Sequence, residues 1–188
     1  MEAILKREII VGKAASRVFG VTAFIILTAL GAFVRIPLMF TPVPITLQTM
    51  FVLLGAALLG RSLGATAQIA YIFLGFAGLP IFTGAGSGLL YLSGPTGGYI
   101  FGFVLASIFL GGAIKRAGNS LFSLFGLFLV ADAILFACGI LWLRILFAQP
   151  LDHLLFIGLL PFVPGEILKI SAAVILYRKI APRAKAWF

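Results

Sequence analysis

Long stretches with few or no charges alternate with isolated charged residues along this chain. The uncharged or nearly uncharged stretches are 18–34, 36–60, 62–114, 117–143 and 153–177. A helix that crosses a bilayer needs about 20 predominantly apolar residues. The longest stretch, 62–114, therefore has room for two helices joined by a turn. We predict six membrane-spanning helices, near residues 18–35, 45–60, 64–80, 97–114, 118–143 and 153–177.

Composition supports a membrane protein. Of the 188 residues, 62% are hydrophobic and 10% are charged, whereas soluble domains average about 45–50% apolar and about 25% charged residues. So few charges cannot cover a water-exposed surface, and so apolar a chain is not disordered. We predict an all-α, polytopic membrane protein, with residues 1–188 forming a single integral membrane domain that has no internal repeat and no soluble linker.

The positive charges predict the orientation. With six spans both termini lie on one side, and that side carries eleven basic residues, whereas the opposite side carries only Arg35 and Arg144. The eleven are Lys6, Arg7, Lys13, Arg17, Arg61, Lys115, Arg116, Arg178, Lys179, Arg183 and Lys185. Lys and Arg are enriched in cytoplasmic loops, so we predict that both termini face the cytoplasm of a cell whose cytoplasmic membrane holds the protein. The basic residues are scattered rather than gathered on one face, which argues against nucleic acid as a partner despite the net charge of +9.

An alternative for the N-terminal segment stays open. Lys13 and Arg17 precede an apolar stretch in which Ala29-Leu30-Gly31 resembles a small-x-small cleavage site, as in a signal peptide. Cleavage there would leave five spans and put the two basic termini on opposite sides of the membrane.

Residues for catalysis or metal binding are scarce. One cysteine, Cys138, and one histidine, His153, make an internal disulfide impossible and a zinc site improbable. No Ser-His-Asp or HExxH pattern occurs, and the phosphate-binding motif GxxxxGK[ST] is absent. We predict that the protein is not an enzyme and uses no cofactor and no metal.

Two segments on the predicted outer side are unusual. Residues 36–48 contain Pro37, Pro42 and Pro44, which prevent a continuous helix; this segment is either a plain connector or a lid over an apolar cavity. Residues 78–98 are rich in glycine and hydroxyl groups, include Tyr91 and carry no charge. Non-helical backbone at membrane depth is tolerated where it lines a cavity, so this segment is suited to binding a neutral or weakly charged small molecule.

Small residues recur at a spacing of four in two places. Gly94, Gly98, Gly102 and Ala106 would form one smooth helix face, and Thr28 and Ala32 form a weaker pair of the same kind. Such faces let helices approach closely. They serve either packing within this chain or docking of a partner subunit.

Charges inside the last predicted span are the strongest functional signal. Glu166 and Lys169 are three residues apart and share a helix face, and each would cost about 2.5–3.5 kcal/mol at the centre of a spanning helix. Prolines at 161 and 164 interrupt the span just before them, so Glu166 is predicted in the first turn of a new half-helix, where the helix dipole favours a carboxylate. Broken helices whose ends face a cavity are typical of transporters. A structural ion pair is the alternative to a ligand site.

Asp132 lies in the middle of the fifth predicted span. Three interpretations remain open for it: an ion pair with Lys169 or with Arg144, a protonated side chain, or a proton relay.

Four segments resemble the BioY family, the biotin-specific S components of energy-coupling-factor (ECF) transporters. They are Thr41-Pro-Val-Pro-Ile-Thr-Leu-Gln-Thr49, Gly78-Leu-Pro-Ile-Phe82, Gly94-Pro-Thr-Gly-Gly-Tyr-Ile-Phe-Gly-Phe103 and Pro164-Gly-Glu-Ile-Leu-Lys169. They occur in order and at matching separations over most of the chain. The resemblance implies a six-helix protein that binds biotin from outside, with uptake driven by a separate transmembrane T component and two cytoplasmic ATPases.

The resemblance also implies a binding site. In the family an acid and a lysine three residues apart on the last helix contact the polar head of the ligand, the glycine-rich loop supplies further groups, and the proline-rich loop is the lid. The acid is usually aspartate, so the glutamate here reaches one methylene further. The candidate substrate-binding residues are Glu166, Lys169, Tyr91, Gly97, Gln48, Tyr99 and Gly84. The family's Ala-x-x-x-Ala docking motif on the first helix is only approximated by Thr28 and Ala32. A self-sufficient, possibly proton-coupled carrier is the alternative function.

Overall fold

The computed structural model describes residues 2–118 and 120–184. It contains seven α-helices among these residues, and short loops or single turns connect most of them. The helices are α1 (Glu2–Phe33), α2 (Gln48–Phe76), α3 (Gly88–Leu92), α4 (Gly97–Ala113), α5 (Leu121–Phe147), α6 (Leu151–Gly158) and α7 (Val163–Ala184). Two short strands, β1 (Arg35–Ile36) and β2 (Ile45–Thr46), and two 3-10 turns, Thr83–Ala85 and Ile114–Arg116, complete the structure.

Helix α2 folds back on itself at Gly60. The backbone of Gly60 has φ 79° and ψ −179°, which is not helical and is accessible mainly to glycine. The two limbs lie side by side, because a Cβ atom added to Gly64 would sit 2.9 Å from Ala56 Cα. Gln48 Nε2 also donates to Tyr71 Oη over 2.7 Å, although 23 residues of straight helix would separate them by about 35 Å. The predicted second and third spans are therefore these two antiparallel limbs.

The last predicted span is interrupted at the position that its two prolines, Pro161 and Pro164, indicate. Helices α6 and α7 meet at an angle of 52°, with Pro161 and Phe162 in the intervening turn. Glu166 lies in the first turn of α7, and its backbone N–H donates to Phe162 O over 2.9 Å. The prediction of a half-helix that begins near Pro164 is confirmed.

The number of spans agrees with the prediction once the bends are considered. Among the described residues, four helices are long and apolar enough to cross a membrane, and α6 with α7 makes a fifth, bent crossing. Counting the limbs of α2 separately gives six passes. The boundaries differ in detail: the third pass ends at Phe76 rather than 80, because residues 77–80 form a turn, and α5 runs from 121 to 147 rather than from 118 to 143.

Small residues bring α4 against α5 within the chain. A Cβ on Gly102 would lie 2.8 Å from Leu135 O, and one on Gly98 would overlap Trp142. Ala106, the last residue of this stripe of small residues, is also fully buried. The helix face begins at Gly98 rather than Gly94, because the N-cap of α4 is Thr96. This face thus serves internal packing.

The smaller pair on α1 is also buried within the fold. Thr28 and Ala32 are both 0% exposed, and a Cβ on the intervening Gly31 would lie 2.9 Å from the backbone N of Gln48. Helix α1 therefore packs on the start of α2 along this face. The remaining surface of α1 is apolar and exposed, including Phe19, Ile26 and Leu30.

The two predicted outer segments fold against each other. Strands β1 and β2 pair antiparallel, with Arg35 opposite Thr46, so the proline-rich segment is a hairpin. The segment 78–98 is less irregular than its glycine content predicts, since it contains the 3-10 turn at 83–85 and helix α3. Glycine at 84 and 88 with positive φ permits these tight turns.

Candidate functional site

A cavity lies beneath the two outer segments, at the end of the bundle that carries Arg35 and Arg144. Its walls come from the hairpin, α2, the glycine-rich segment, α4, α5, the α6–α7 turn and the first turn of α7. The lining residues are Val43, Pro44, Thr46, Gln48, Thr49, Thr83, Tyr91, Thr96, Tyr99, Ile100, Phe103, Leu135, Phe136, Phe162 and Glu166. Most of the lining is apolar or aromatic with a few polar groups, which is typical of small-molecule sites.

The polar floor of the cavity is the Glu166–Lys169 pair. Lys169 Nζ donates to Glu166 Oε1 at 2.5 Å, to Thr49 Oγ1 at 2.8 Å and to Thr46 O at 2.8 Å. These are all the donors an ammonium has. Thr49 Oγ1 in turn donates to Glu166 Oε2 at 2.8 Å. Glu166 and Lys169 are 5% and 7% exposed, so this complete set of hydrogen bonds is what makes the buried charges tolerable.

Asp132 lies nearby but outside this network. It is 5% exposed, and its Oδ1 has no hydrogen-bond partner among the described residues. It is within electrostatic range of Glu166 and Lys169, yet it forms no ion pair with Lys169, whose donors are engaged elsewhere. Arg144 is twelve positions further along α5, about 18 Å away along the helix, and is exposed. Of the three interpretations left open for Asp132, the ion pair is therefore wrong for both candidate partners, and the protonated side chain and the proton relay remain.

Gln48 connects the two outer segments at the upper edge of the cavity. Its Nε2 donates to Tyr71 Oη at 2.7 Å, and its Oε1 accepts from Thr83 Oγ1 at 3.1 Å and, more weakly, from Thr46 Oγ1 at 3.5 Å. Tyr71 Oη then donates to Ile81 O at 3.0 Å. The hairpin, the limb of α2 that holds Tyr71, and the glycine-rich segment are thus linked through one amide. We call Gln48, Tyr71 and Thr83 the loop clasp.

Aromatic rings form two walls of the cavity. On one side Tyr91 stacks on Phe82 with ring centroids 5.0 Å apart, and Phe82 meets the ring of Tyr71 edge-on at 5.4 Å. On the other side Tyr99 and Phe136 meet edge-on at 5.6 Å. Tyr99 Oη donates to Gly158 O at 2.8 Å, so Tyr99 offers its ring rather than its hydroxyl. No described residue bonds to Tyr91 Oη, which leaves that hydroxyl available to a ligand.

The other sequence-predicted site residues lie as follows. Gln48, Tyr91, Tyr99 and Glu166 line the cavity, and Lys169 lies directly behind its floor. Gly84 and Gly97 do not line it. A Cβ on Gly84 would meet the guanidinium of Arg35, and one on Gly97 would meet Leu92 O; both glycines therefore allow close packing around the site.

Thr49, Tyr71, Thr83 and Phe136 are site residues that the sequence analysis did not single out. Thr49 and Tyr71 are polar groups within apolar stretches, which is a usable signal for an inward-facing position. Thr83 and Phe136 gave no such signal, because their role depends on which segments meet in space. No group of three or more His, Cys, Asp or Glu side chains that could hold a metal ion occurs among the described residues.

The open volume of the cavity is small. It measures about 40 Å³, which is room for a few water molecules, each needing about 10–15 Å³. Sites for small organic ligands usually measure about 300–1,000 Å³. The cavity in this structure therefore holds less open space than a ligand of that kind fills.

Comparisons with known proteins agree with this architecture. The chain is 35% identical over 166 residues to the probable biotin transporter BioY of Pyrococcus horikoshii, covering 88% of this chain and 96% of that one. It is 35% identical over 157 residues to the biotin transporter BioY of Thermotoga maritima, covering 81% and 88%. The crystal structure of the S-component for biotin from an ECF-type ABC transporter superposes with a TM-score of 0.85 at 26% identity, covering 94% and 96%. The BioY family profile matches residues 6–186, and the chain therefore belongs to the BioY family.

Proposed function

We propose that this chain captures biotin from outside the cell as the S component of an ECF-type transporter in the cytoplasmic membrane. The observation that carries the proposal is the Glu166–Lys169 pair at the floor of an aromatic cavity. Relatives described as biotin transporters and a neighbour described as an S-component for biotin support the choice of ligand. The protein is a transporter subunit, not an enzyme.

The chemistry of biotin is complementary to the cavity. Its ureido head both donates and accepts hydrogen bonds, so it can donate to Glu166 and accept from Lys169. To bind the head, Lys169 gives up one of its present acceptors, for which Thr46 O is the best candidate because it belongs to the hairpin. The sulfur-containing ring system then lies between the aromatic walls, and Tyr91 Oη offers one more hydrogen bond.

This exchange gives the proline-rich hairpin a function. Val43, Pro44 and Thr46 of the hairpin cover the cavity, and the bond from Lys169 to Thr46 O ties the cover to the floor. Breaking that bond opens the cavity and frees Lys169 for the ligand in the same step. We therefore interpret the hairpin as the lid rather than as a plain connector.

Accumulation of biotin in the cell needs an energy source. The sequence lacks the phosphate-binding motif of ATPases. We propose that a transmembrane T component and two cytoplasmic ATPases drive uptake, in line with the S-component relationship. A self-sufficient proton-coupled carrier is the second candidate, and the observation in its favour is the buried, unpaired Asp132.

The binding step is tested by calorimetric titration of the purified protein with biotin in the absence of nucleotide. We expect tight one-to-one binding, and we expect Glu166→Ala and Lys169→Ala each to weaken it at least tenfold, which is about 1.4 kcal/mol. Thiamine, which has no ureido group, is the control ligand and should not bind. Absence of biotin binding to the folded wild-type protein contradicts the proposal.

The energy source is tested by biotin uptake into proteoliposomes. We expect no accumulation with this chain alone under an imposed pH gradient, and ATP-dependent accumulation once a T component and two ATPases are added. Accumulation by the chain alone that collapses when the pH gradient is dissipated would instead establish the second candidate.

A further inference from the structure

A second, larger cavity opens at the other end of the bundle, far from the biotin site. Its volume is about 750 Å³. It lies between the end of α4, the loop to α5 and the last turns of α7. We call it the inner basic groove, and it is lined by Ile114, Lys115, Gly118, Tyr177, Arg178, Ala181 and Pro182.

Two positive charges face this groove without a counter-charge. Lys115 and Arg178 come from different elements, both are exposed, and no acidic residue is among the lining residues. Among the described residues, neither of them forms a salt bridge; Lys169 with Glu166 is the pair found there. Two cations that share a groove repel each other, so an anion bound between them relieves that repulsion and gains two charge-assisted contacts.

The surroundings of the groove favour a lipid over a free anion. It lies at the end of the bundle that the charge distribution predicts to be cytoplasmic, where the bilayer surface is negatively charged. Tyr177 at its edge is a residue type enriched at membrane interfaces. Nearer the bilayer centre on the same helix, Leu168 and Ile175 are 73% and 63% exposed. They are seven residues apart and therefore lie on one helix face, so an apolar surface is available there for acyl chains.

We propose that the inner basic groove binds the phosphate headgroup of one anionic phospholipid. Arg178 presents a guanidinium fork to the phosphate oxygens, Lys115 contacts them from the opposite wall, and Tyr177 Oη donates to a headgroup oxygen. The acyl chains pack on the apolar side of α7. The bound lipid thereby stabilises the contact between the α4–α5 loop and α7 at the cytoplasmic surface.

Native mass spectrometry of the full chain tests the proposal, with phosphatidylglycerol and phosphatidylcholine as competing probes. We expect one phosphatidylglycerol to remain bound per chain in preference to phosphatidylcholine. Because hydrogen bonds to charged groups contribute more than neutral ones, the double variant Lys115→Gln/Arg178→Gln, which loses both direct contacts to the headgroup, should lose at least about 25-fold in affinity. The double variant Lys115→Arg/Arg178→Lys, which retains both charges, should keep the preference for phosphatidylglycerol.

The matched control is the double variant Arg116→Gln/Lys179→Gln, which removes the same charge one position away on the same elements. It should bind phosphatidylglycerol within about twofold of wild type. Size-exclusion elution and circular dichroism of each variant report whether it is folded, so the lipid result does not depend on whether biotin is the ligand.

Three outcomes overturn the proposal. The first is equal loss of phosphatidylglycerol in the groove variant and in the matched control, which would mean non-specific attraction. The second is equal retention of phosphatidylglycerol and phosphatidylcholine by wild type. The third is glycerol phosphate in solution displacing the lipid and raising the unfolding temperature as much as the lipid does, which would identify the ligand as a free phosphate ester.

Discussion

Two sets of polar groups buried in the bundle differ in their hydrogen bonding. In the first set, Lys169 uses all three donors and both carboxylate oxygens of Glu166 accept a bond. In the second set, Asp132 Oδ1, Ser107 Oγ and Gln68 Oε1 have no partner among the described residues. Glu166 and Lys169 lie in α7, which makes a crossing together with α6, whereas Asp132, Ser107 and Gln68 lie in α5, α4 and α2, which are each long and apolar enough to cross.

The difference indicates what each set is for. A buried charge persists only with compensating charge and hydrogen bonds, and Glu166 and Lys169 obtain these from each other and from residues 46–49. Nothing equivalent surrounds Asp132, so we expect it to carry its proton and to behave as a neutral side chain. A ligand can exchange bonds with the first set at little cost, because each bond that it breaks is replaced by a similar one. The second set has no bonds to exchange.

The largest effect is expected when one partner of the Glu166–Lys169 ion pair is removed. Lys169→Met leaves the carboxylate of Glu166 buried without its counter-charge, and removal of one partner of a buried pair costs about 3–5 kcal/mol. We expect a markedly lower unfolding temperature in detergent and loss of biotin binding. Thermal unfolding and biotin titration check both effects. An unchanged unfolding temperature would mean that Glu166 and Lys169 do not form the ion pair seen in the structure.

A smaller effect is expected at the residue that connects the pair. Thr49→Val keeps the shape of the side chain but removes the donor to Glu166 Oε2 and an acceptor of Lys169. Each hydrogen bond to a charged group is worth about 1.5–3 kcal/mol, so we expect biotin affinity to fall at least tenfold. Thr49→Ser, which keeps the hydroxyl, is the control and should stay within a few-fold of wild type. Equal affinities of the two variants would remove Thr49 from the network.

The loop clasp is an intermediate case, because its side chains are hydrogen-bonded like the first set but carry no charge. Tyr71→Phe removes the bonds to Gln48 and to Ile81 O, and neutral hydrogen bonds are worth about 1 kcal/mol each in net stability. We expect biotin to dissociate up to about thirtyfold faster, as stopped-flow fluorescence would record, since the clasp holds the outer segments closed. Tyr177→Phe at the opposite end is the control. Unchanged dissociation would mean that the clasp does not restrain the outer segments.

The smallest effect is expected in the second set. Asp132→Asn replaces a neutral carboxylic acid by a neutral amide of similar size, so the free energy of unfolding and the free energy of biotin binding should each change by no more than about 1 kcal/mol, the low end of the range for one added buried donor. Isothermal titration checks the affinity. A tenfold loss of affinity or of uptake would show that Asp132 works as a charge, and would favour the proton-coupled carrier.

The architecture was largely predictable because it depends on local signals. The prolines before Glu166 determine where the last span breaks, and the charge at Arg61 marks the turn that Gly60 forms. Both are properties of a few adjacent residues. The stripe of glycines likewise predicted a close helix contact, although only the structure identifies α5 as its partner and Gly98 as its start.

The site was predictable only in part, because its polar groups come from distant segments. Glu166 and Lys169 were evident from the cost of their charges in a membrane. The link from Gln48 to Thr83 spans 35 positions, and the bond from Thr49 to Glu166 spans 117; nothing local in the sequence indicates either. In the structure Gly84 and Gly97 both pack against protein groups. Their roles as ligand contacts stay predictions.

The most direct measurement is made on the double variant Glu166→Met/Lys169→Met, which removes the whole ion pair and leaves no unpaired charge. Replacement of a buried pair by apolar residues is often neutral or stabilising. If the pair exists to bind ligand, this variant unfolds at a temperature equal to or above that of wild type, while its calorimetric affinity for biotin falls by more than about a hundredfold. Biotin binding close to wild type in this folded variant would contradict the account.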